Sequence, residues 1–128
     1  AQRVELMCER LPSLGLPRAC FDAVLSNSLL HHVAEPQVLW QTVRDCARRG
    51  AAVLVMDLAC PASPEAVDRV VAEYAADAPA VLRRDFRNSL FAAFTPDEVR
   101  EQMDLAGLRG LQVDYVSDRH LAVIGRLS

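Results

Sequence analysis

The sequence predicts an open α/β sheet that is mostly parallel and closes in an antiparallel hairpin. Ala23–Ser26, within the stretch FDAVLS, is a short apolar strand that stops at a polar Asn-Ser pair. Ala51–Leu58 is apolar almost to its end, which is typical of a strand buried on both faces of a parallel sheet. Leu111–Val116 and His120–Leu127 are separated by only Ser-Asp-Arg. So short a link cannot make a parallel crossover, and these two strands must be antiparallel neighbours.

An amphipathic helix is predicted between the first two of these strands. Glu35-Pro36 opens it, because proline is favoured in the first turn of a helix. Its apolar residues recur at i, i+3, i+4, i+7 and i+8, the spacing of one buried stripe: Leu39, Thr42, Val43, Cys46 and Ala47. Arg48 and Arg49 complement the helix dipole near the end, and Gly50 is the predicted stop.

Capping residues predict two further helices, and the alternation of apolar and polar residues predicts one further strand. Ser63-Pro64-Glu65 begins a helix whose stripe runs from Val67 to Ala75 and includes Tyr74. The segment 81–94 is predicted to be helical in part. Thr95-Pro96-Asp97-Glu98 is a capping box that opens a helix ending at Gly107. Arg3–Cys8 alternates enough to predict a strand.

Size and composition limit the function classes. At 128 residues and 52% hydrophobic, the chain is predicted to be one domain at most, residues 1–128, with enough apolar residues for a core. A formal net charge of −3 argues against a nucleic-acid-coating protein, and no apolar run reaches the roughly 20 residues that span a bilayer. The four cysteines form no C-x-x-C pair, so most are expected to be buried thiols in a protein of the reducing cytoplasm.

The stretch FDAVLSNSLLHHV, followed by a helix and then RGAAVLVMDL, resembles the middle of a class I S-adenosylmethionine-dependent methyltransferase. In that family "FD-apolar-apolar-apolar-S/N-x-x-L-H-H" forms the fourth strand and its loop, and a fifth strand begins just after a glycine. The resemblance implies a Rossmann-like sheet of strand order 3-2-1-4-5-7-6, and nearly the whole chain fits the carboxyl-terminal part of it.

The front part of the family domain has no counterpart in this sequence. A cofactor site of this type needs a Gly-rich turn after its first strand, and none of the five glycines stands in a G-x-G arrangement. We therefore expect the amino-terminal strands to be missing, so that Arg3–Cys8 has no neighbour and one edge of the Ala23–Ser26 strand is bare. Either the chain is part of a longer methyltransferase or a second copy completes the sheet as a homo-oligomer.

The resemblance implies two groups of cofactor-binding residues for S-adenosylmethionine. The loop after the third strand touches the adenine, and Glu9, Arg10 and Leu11 stand at the matching place. Glu9 is either an acceptor for the adenine amino group or a solvated acid, and Leu11 either packs on the adenine or belongs to the core. Ser26, Asn27 and Ser28 match the loop that faces the methionine end of the cofactor, although Asn27 is equally suited to a structural turn.

His31 and His32 are the candidate catalytic residues. A histidine poised near neutral pH can take a proton from the acceptor as the methyl group transfers. The sulfonium is already activated, however, so a base is optional and positioning does most of the work. Asp57 ends the fifth strand and faces the same crevice, where it either orients a substrate group or caps the loop. No third ligand accompanies the histidines, so no metal site is expected.

Methyl transfer to a small organic molecule is the leading hypothesis for function. The D/N-P-P-Y/F motif of enzymes that methylate amino groups of nucleic acids or glutamine is absent from the sequence, and neither a nucleic acid nor a membrane is expected as partner. Arg83, Arg84 and Arg87 either bind an anionic substrate or form a solvated face. The alternative is a non-catalytic methyltransferase-like scaffold that lacks the Gly-rich cofactor turn. A nicotinamide-dependent dehydrogenase is a distant third.

Overall fold

A computed structural model describes residues 3–12 and 15–128 of the chain. These residues form one four-stranded sheet with four α-helices and a single 3₁₀ turn. In chain order the elements are β1 (Phe21–Asn27), the 3₁₀ turn (Leu30–His32), α1 (Gln37–Cys46), β2 (Ala47–Leu58), α2 (Pro64–Tyr74), α3 (Ala80–Ala92), α4 (Pro96–Ala106), β3 (Leu111–Tyr115) and β4 (His120–Arg126).

The strand order confirms the predicted sheet. The strands lie in the order β1-β2-β4-β3. Strand β1 runs parallel to β2, whereas β4 runs antiparallel to both β2 and β3. Three strands therefore point in one direction and β4 alone points in the other. This is the order 4-5-7-6 that the family resemblance implies for the carboxyl-terminal half of the sheet.

The main core lies between the sheet and the helices α1 and α4. Trp40 and Val43 of α1 and Val99 of α4 are fully buried against Val53 and Val55 of β2. The Trp40 indole also donates a hydrogen bond of 2.9 Å to the Gln102 side-chain oxygen of α4. The two helices are thus joined to each other as well as to the sheet.

The opposite face of the sheet is only partly covered. Along β2, fully buried residues alternate with half-buried ones, so the prediction of a strand buried on both faces is wrong. Helices α2 and α3 form a small second cluster around Val67, Val70 and Leu90 that covers Leu58 at the strand end. Farther along the same face, Leu25 and Ile124 remain 72% and 55% exposed.

The predicted helix ends are confirmed for α2 and α4. The Ser63 hydroxyl accepts from the Ala66 amide at the start of α2. Thr95 and Glu98 form the full reciprocal capping box at α4, which ends at Gly107 in the left-handed conformation at φ 73°. Segment 81–94 lies largely within α3. Tyr74 departs from the prediction, since its ring is half exposed and its hydroxyl donates to Asp118 rather than facing a core.

The end of α1 was predicted three residues too late. Cys46 is the last helical residue, and Ala47 already has extended backbone at φ −76° and ψ 138°. Ala47 pairs with Phe21 of β1 and therefore belongs to the strand β2, although it continues the apolar stripe of the helix. Gly50 is therefore not the helix stop. It lies within β2 at φ 81°, where the register between β1 and β2 shifts.

Arg3–Cys8 is not a strand. No described residue pairs with it, and Val4 and Leu6 are exposed to solvent. Alternation alone does not form a strand when there is no neighbour to accept its hydrogen bonds. The expectation of mostly buried thiols is also wrong, since only Cys46 is buried, Cys60 is half-buried, and Cys8 and Cys20 are exposed. All four are free.

Candidate functional site

The carboxyl ends of β1 and β2 meet at one edge of the sheet. Asn27 is in register with Met56, and the Ser28 amide donates a 2.9 Å hydrogen bond to the Met56 carbonyl. This places the residues after β1 beside Asp57, which follows Met56. Polar groups at the carboxyl ends of parallel strands are where ligands bind in open α/β sheets.

The Ser-Asn-Ser sequence presents three different polar groups at this edge. The Ser26 hydroxyl is buried and has no hydrogen-bond partner among the described residues. Asn27 is exposed, and its side-chain oxygen accepts a 3.3 Å hydrogen bond from the Ser28 hydroxyl. Ser28 has a positive φ of 59°, which turns the chain sharply away from the sheet. A short polar turn with an unpartnered buried hydroxyl is suited to holding a polar ligand.

Asp57 anchors the histidine loop to the end of β2. Its side chain is only 1% exposed. One carboxylate oxygen accepts from His31 Nδ1 and from the Leu58 amide, and the other accepts from the His31 backbone amide at 3.0 Å. Three hydrogen bonds satisfy the buried carboxylate. The same bonds fix both the backbone and the ring of His31.

The contact with Asp57 also determines the tautomer of His31. An ionised carboxylate only accepts hydrogen bonds, so Nδ1 of the ring must carry the proton. In the neutral ring the other nitrogen, Nε2, then holds a free lone pair. The His31 side chain keeps 14% of its surface exposed. His31 is therefore a half-buried, fixed imidazole with a basic nitrogen, the arrangement in which a histidine can accept a proton.

His32 lies next to His31 but is held less firmly. The two ring centroids are 3.9 Å apart with the planes tilted by 40°. His32 is exposed, and its backbone amide donates to the Leu29 carbonyl within the 3₁₀ turn. The preceding Leu30 is fully buried in the main core and anchors this turn. Of the two histidines, only His31 has a buried partner that sets its orientation.

The predicted adenine-binding residues lie on the segment before β1. Glu9 and Arg10 are exposed, and neither forms an ion pair within the described part of the chain. Leu11 is half-buried and packs against the main core. Hydrogen bonds join His31 to Asp57, and the strand register places Asn27 and Ser28 beside Met56 at the same edge of the sheet, whereas no such contact links Glu9 or Arg10 to these residues. Their assignment to the cofactor stays a prediction.

The arginines of α3 are exposed and already have partners. Arg87 pairs with Asp68 of α2 at 3.0 Å and stacks over Phe91. Arg83 donates to the Ala76 carbonyl at 3.3 Å, and Arg84 lies 3.9 Å from Asp85. This is the geometry of a solvated helix face with weak surface ion pairs.

The loop after β2 is closed by a tyrosine from β3. The Tyr115 hydroxyl donates a 2.6 Å hydrogen bond to the Cys60 carbonyl. Burial raises the pKa of the Tyr115 phenol, and burial likewise raises the pKa of the Cys60 thiol. Both groups therefore stay protonated at neutral pH. The Tyr115 phenol holds the loop through its hydrogen bond to the Cys60 backbone carbonyl.

Neither a metal cluster nor a membrane-spanning helix is present in the described part of the chain. Within residues 3–12 and 15–128, no three His, Cys, Asp or Glu side chains come close enough to hold a metal ion. Each helix of that part of the chain is too short or too polar to cross a lipid bilayer.

The pairing of His31 with Asp57 is the feature that reasoning from the sequence missed. Both residues were candidates for the crevice, but 25 residues of loop, helix and strand separate them in the sequence. The available clue is the single acid at the end of the otherwise apolar run AAVLVMDL. A carboxylate buried there needs hydrogen-bond donors, and the loop after the adjacent parallel strand is the nearest source.

Comparison with known proteins connects this geometry to a family. A family model described as "Methyltransferase domain" matches residues 1–55, which include β1 and the histidine loop. No curated protein matches the chain.

Solved structures match over almost the whole chain. A SAM-dependent methyltransferase from Aquifex aeolicus is 15% identical with a TM-score of 0.66, and the match covers 97% of this chain and 55% of that one. A SAM-dependent methyltransferase from Thermotoga maritima is 13% identical with a TM-score of 0.59, covering 91% and 60%. Phosphoethanolamine N-methyltransferase 2 from Haemonchus contortus is 9% identical with a TM-score of 0.62, covering 88% and 34%.

The chain thus spans between about a third and three fifths of the length of these three proteins. The part that it spans includes the parallel pair β1–β2 and the antiparallel hairpin β3–β4, in the order that the resemblance implies. The family match covers the histidine loop, and the structural matches extend over the remaining elements. The chain has the fold of the class I S-adenosylmethionine-dependent methyltransferases.

Proposed function

We propose that this chain takes part in S-adenosylmethionine-dependent methyl transfer to a small organic molecule. The observation that carries the proposal is the strand-end site, where a polar Ser-Asn-Ser turn and a histidine held by a buried aspartate meet at one edge of a methyltransferase sheet. Residues 1–128 would then form part of a single methyltransferase domain. The proteins of similar fold support the cofactor, since the Haemonchus enzyme is described in complex with S-adenosyl-L-methionine.

The polar turn after β1 fits the methionine end of the cofactor. That end carries an ammonium and a carboxylate, which need acceptors and donors respectively. The Asn27 amide offers both, and the buried Ser26 hydroxyl has no described partner to occupy it. When bound, S-adenosylmethionine supplies a methyl group on a sulfonium that is already activated. Since the sequence has no G-x-G turn, these residues account for the methionine end only.

His31 is suited to handle the proton of the methyl acceptor. Asp57 holds the proton on Nδ1, so Nε2 is free to accept one from a hydroxyl, amine or acidic carbon. The positive charge that then forms on the ring is stabilised by the buried carboxylate. His32 has no such partner in the described residues and is proposed to line the substrate pocket.

A small molecule is the proposed acceptor class. One enzyme of similar fold is described with phosphomonomethylethanolamine and S-adenosylhomocysteine bound. The formal net charge of −3 also disfavours a polyanionic substrate such as nucleic acid. The atom that receives the methyl group is left open between oxygen, nitrogen and carbon.

Calorimetric titration with S-adenosylhomocysteine tests the proposal. We expect Asn27→Ala to weaken binding by about 5- to 30-fold, the effect of losing one hydrogen bond to the charged methionine end, worth about 1–2 kcal/mol. Asn88→Ala is the matched control, because Asn88 is an exposed asparagine of α3. Equal affinities of the wild-type chain and Asn27→Ala would remove Asn27 from the site.

The same titration addresses the scaffold alternative. The absence of a G-x-G turn from the sequence is the observation that favours a methyltransferase-like subunit without its own cofactor site. If the wild-type chain binds no S-adenosylhomocysteine even at millimolar concentration, Asn27 has no cofactor to bind in this chain alone, and both the scaffold and part of a longer methyltransferase remain; the titration is then repeated with the upstream segment restored. Saturable binding that depends on Asn27 excludes it.

A further inference from the structure

A cleft rich in arginine lies at the opposite end of the sheet from the strand-end site. It has a volume of about 400 Å³ and is formed where α1 ends, β2 begins, and the residues after α4 and β4 meet. Its lining includes the arginines Arg44, Arg48, Arg49 and Arg109. Ala47 begins β2 and Asp57 lies near its end, so at ~3.3 Å per residue the two sites are roughly 30 Å apart.

The charge of this cleft is opposite to that of the chain. The protein has 17 acidic and 14 basic residues, yet four arginine side chains line the cleft and no aspartate or glutamate does. All basic residues of the chain are arginines. The guanidinium group presents a planar fork of donors that matches phosphate oxygens two at a time. A concave site lined by four such groups is suited to an anion.

Two of the four arginines are held in place by other parts of the chain. Arg44 donates to the Ala106 carbonyl at 3.1 Å and so stabilises the carboxyl end of α4. Arg48 pairs with Asp22 at 2.9 Å. These bonds give Arg44 and Arg48 partners within the chain, although the exposed Arg48–Asp22 pair contributes little stability.

Arg49 and Arg109 have no such structural partner. Both are exposed, and neither side chain forms an ion pair or a hydrogen bond with another described residue. Arg49 lies within β2 and Arg109 lies beyond the end of α4, so neither caps a helix.

The backbone between Arg49 and Arg109 is firmly held. The Gly50 amide donates to the Leu127 carbonyl at 2.7 Å, and the Ser128 amide donates to the Arg109 carbonyl at 3.2 Å. The two unpaired arginine side chains therefore extend from a backbone that is itself hydrogen-bonded.

We propose that this cleft is a binding site for a small molecule that carries two linked phosphate groups. Arg49 and Arg109 each bind one phosphate, and the positive charge of Arg44, which has no acidic partner among the described residues, strengthens the attraction, whereas Asp22 offsets the charge of Arg48. Free pyrophosphate and the diphosphate of a nucleotide share this chemistry. The site lies away from the strand-end site, and its ligand binding does not depend on methyl transfer.

Isothermal titration calorimetry of the purified chain with inorganic pyrophosphate tests the proposal. We expect one site per chain that weakens as the salt concentration rises. Arg49→Gln and Arg109→Gln should each reduce the affinity at least about tenfold, because hydrogen bonds to charged groups are the strong ones. Arg49→Lys keeps the charge but not the fork, and an intermediate loss is expected. Parallel titrations with ADP and with orthophosphate distinguish a nucleotide from free pyrophosphate.

Arg69→Gln is the matched control, since Arg69 is an exposed arginine of α2 that forms no ion pair within the described residues. It should change the affinity less than twofold. An equal loss in this variant would mean diffuse charge attraction and would overturn the site. The proposal is also overturned if the wild-type chain shows no saturable binding at millimolar pyrophosphate. An unchanged affinity for pyrophosphate together with a lower melting temperature in Arg49→Gln would show that Arg49 stabilises the fold and does not bind the ligand, which would also overturn the proposal.

Discussion

Asp57 is the residue on which the geometry of the strand-end site depends. It is the only charged residue in the buried core of the described chain, and it accepts from both the ring and the backbone of His31. A buried carboxylate is costly unless it is fully hydrogen-bonded. Its presence at the end of an apolar strand is therefore better explained by the loop that it orders than by packing.

The tautomer of His31 provides a direct test of this contact. In the wild-type chain we expect the neutral ring to carry its proton on Nδ1, as the bond to the Asp57 carboxylate requires. Asp57→Asn should reduce that population, because an amide can donate to Nδ1 as well as accept from it. The ring nitrogen shifts in ¹⁵N NMR spectra report the tautomer without any substrate.

Asp85→Asn is the control for the tautomer measurement. Asp85 is an exposed acid of α3, so the nitrogen shifts of His31 should not change in this variant. A wild-type His31 that carries its proton on Nε2 would contradict the assigned role of Asp57. It would also remove His31 Nε2 as the proposed base.

At the scale of elements, two glycines of the sheet differ in what surrounds them. Gly125 in β4 has φ 153°, and a Cβ at this position would lie 2.3 Å from the Gly110 carbonyl oxygen. Gly50 in β2 has φ 81°, and no described atom lies within 4 Å of its would-be Cβ. Both positions have a backbone conformation that favours glycine, but only Gly125 also has a neighbour that blocks a side chain.

Gly125→Ala should therefore destabilise the chain more than Gly50→Ala does. We expect about 1–2 kcal/mol for Gly50→Ala from backbone strain alone. Gly125→Ala should cost a further ~1–3 kcal/mol, because the backbone of the hairpin must move to admit the methyl group. Urea unfolding followed by circular dichroism measures both free energies. Equal losses of unfolding free energy in the two variants would mean that the backbone around Gly110 and Gly125 moves apart at little cost.

The elements also show what the sequence could predict and what it could not. Helix α4 was predicted from its capping box and its glycine stop, both of which depend on neighbouring residues only. The end of α1 was not, because Ala47 continues the apolar stripe of the helix while its strand partner is Phe21, 26 residues earlier. Local patterns specify helix starts well. Strand pairing depends on residues far apart in the sequence, and it can place in a strand a residue that the local pattern assigns to a helix.

The same distinction applies to the candidate site. Ser26, Asn27 and His31 could be proposed as site residues because a short stretch of sequence carries them at the end of a strand. Their relation to Asp57 depends on the parallel register of β1 and β2, which no local pattern contains. The failure of Arg3–Cys8 to form a strand has the same origin, since alternation does not supply a neighbouring strand.

At the scale of the whole molecule, one sheet face is apolar and open. Leu25 of β1, Leu54 of β2 and Ile124 of β4 are neighbours in register on this face. Leu25 and Ile124 keep more than half of their surface exposed. In addition, no described strand pairs with the outer edge of β1. Exposed apolar patches and bare strand edges both promote association.

We therefore propose that the purified chain self-associates through this face, as a homo-oligomer that covers or completes the sheet. Light scattering after size exclusion should show a mass that rises with protein concentration between about 5 and 200 μM. Leu25→Glu should shift the equilibrium towards the monomer, because a charge in the contact must be desolvated.

Leu105→Glu is the matched control for this experiment. Leu105 is 80% exposed but lies on α4, which packs against the other face of the sheet. A similar shift in both variants would mean nonspecific hydrophobic association rather than contact through the open face. A monomer at every concentration in the wild-type chain would show that neither the apolar row nor the free edge of β1 is enough to drive assembly, and a single chain would then be the unit in which the strand-end site must bind its ligands.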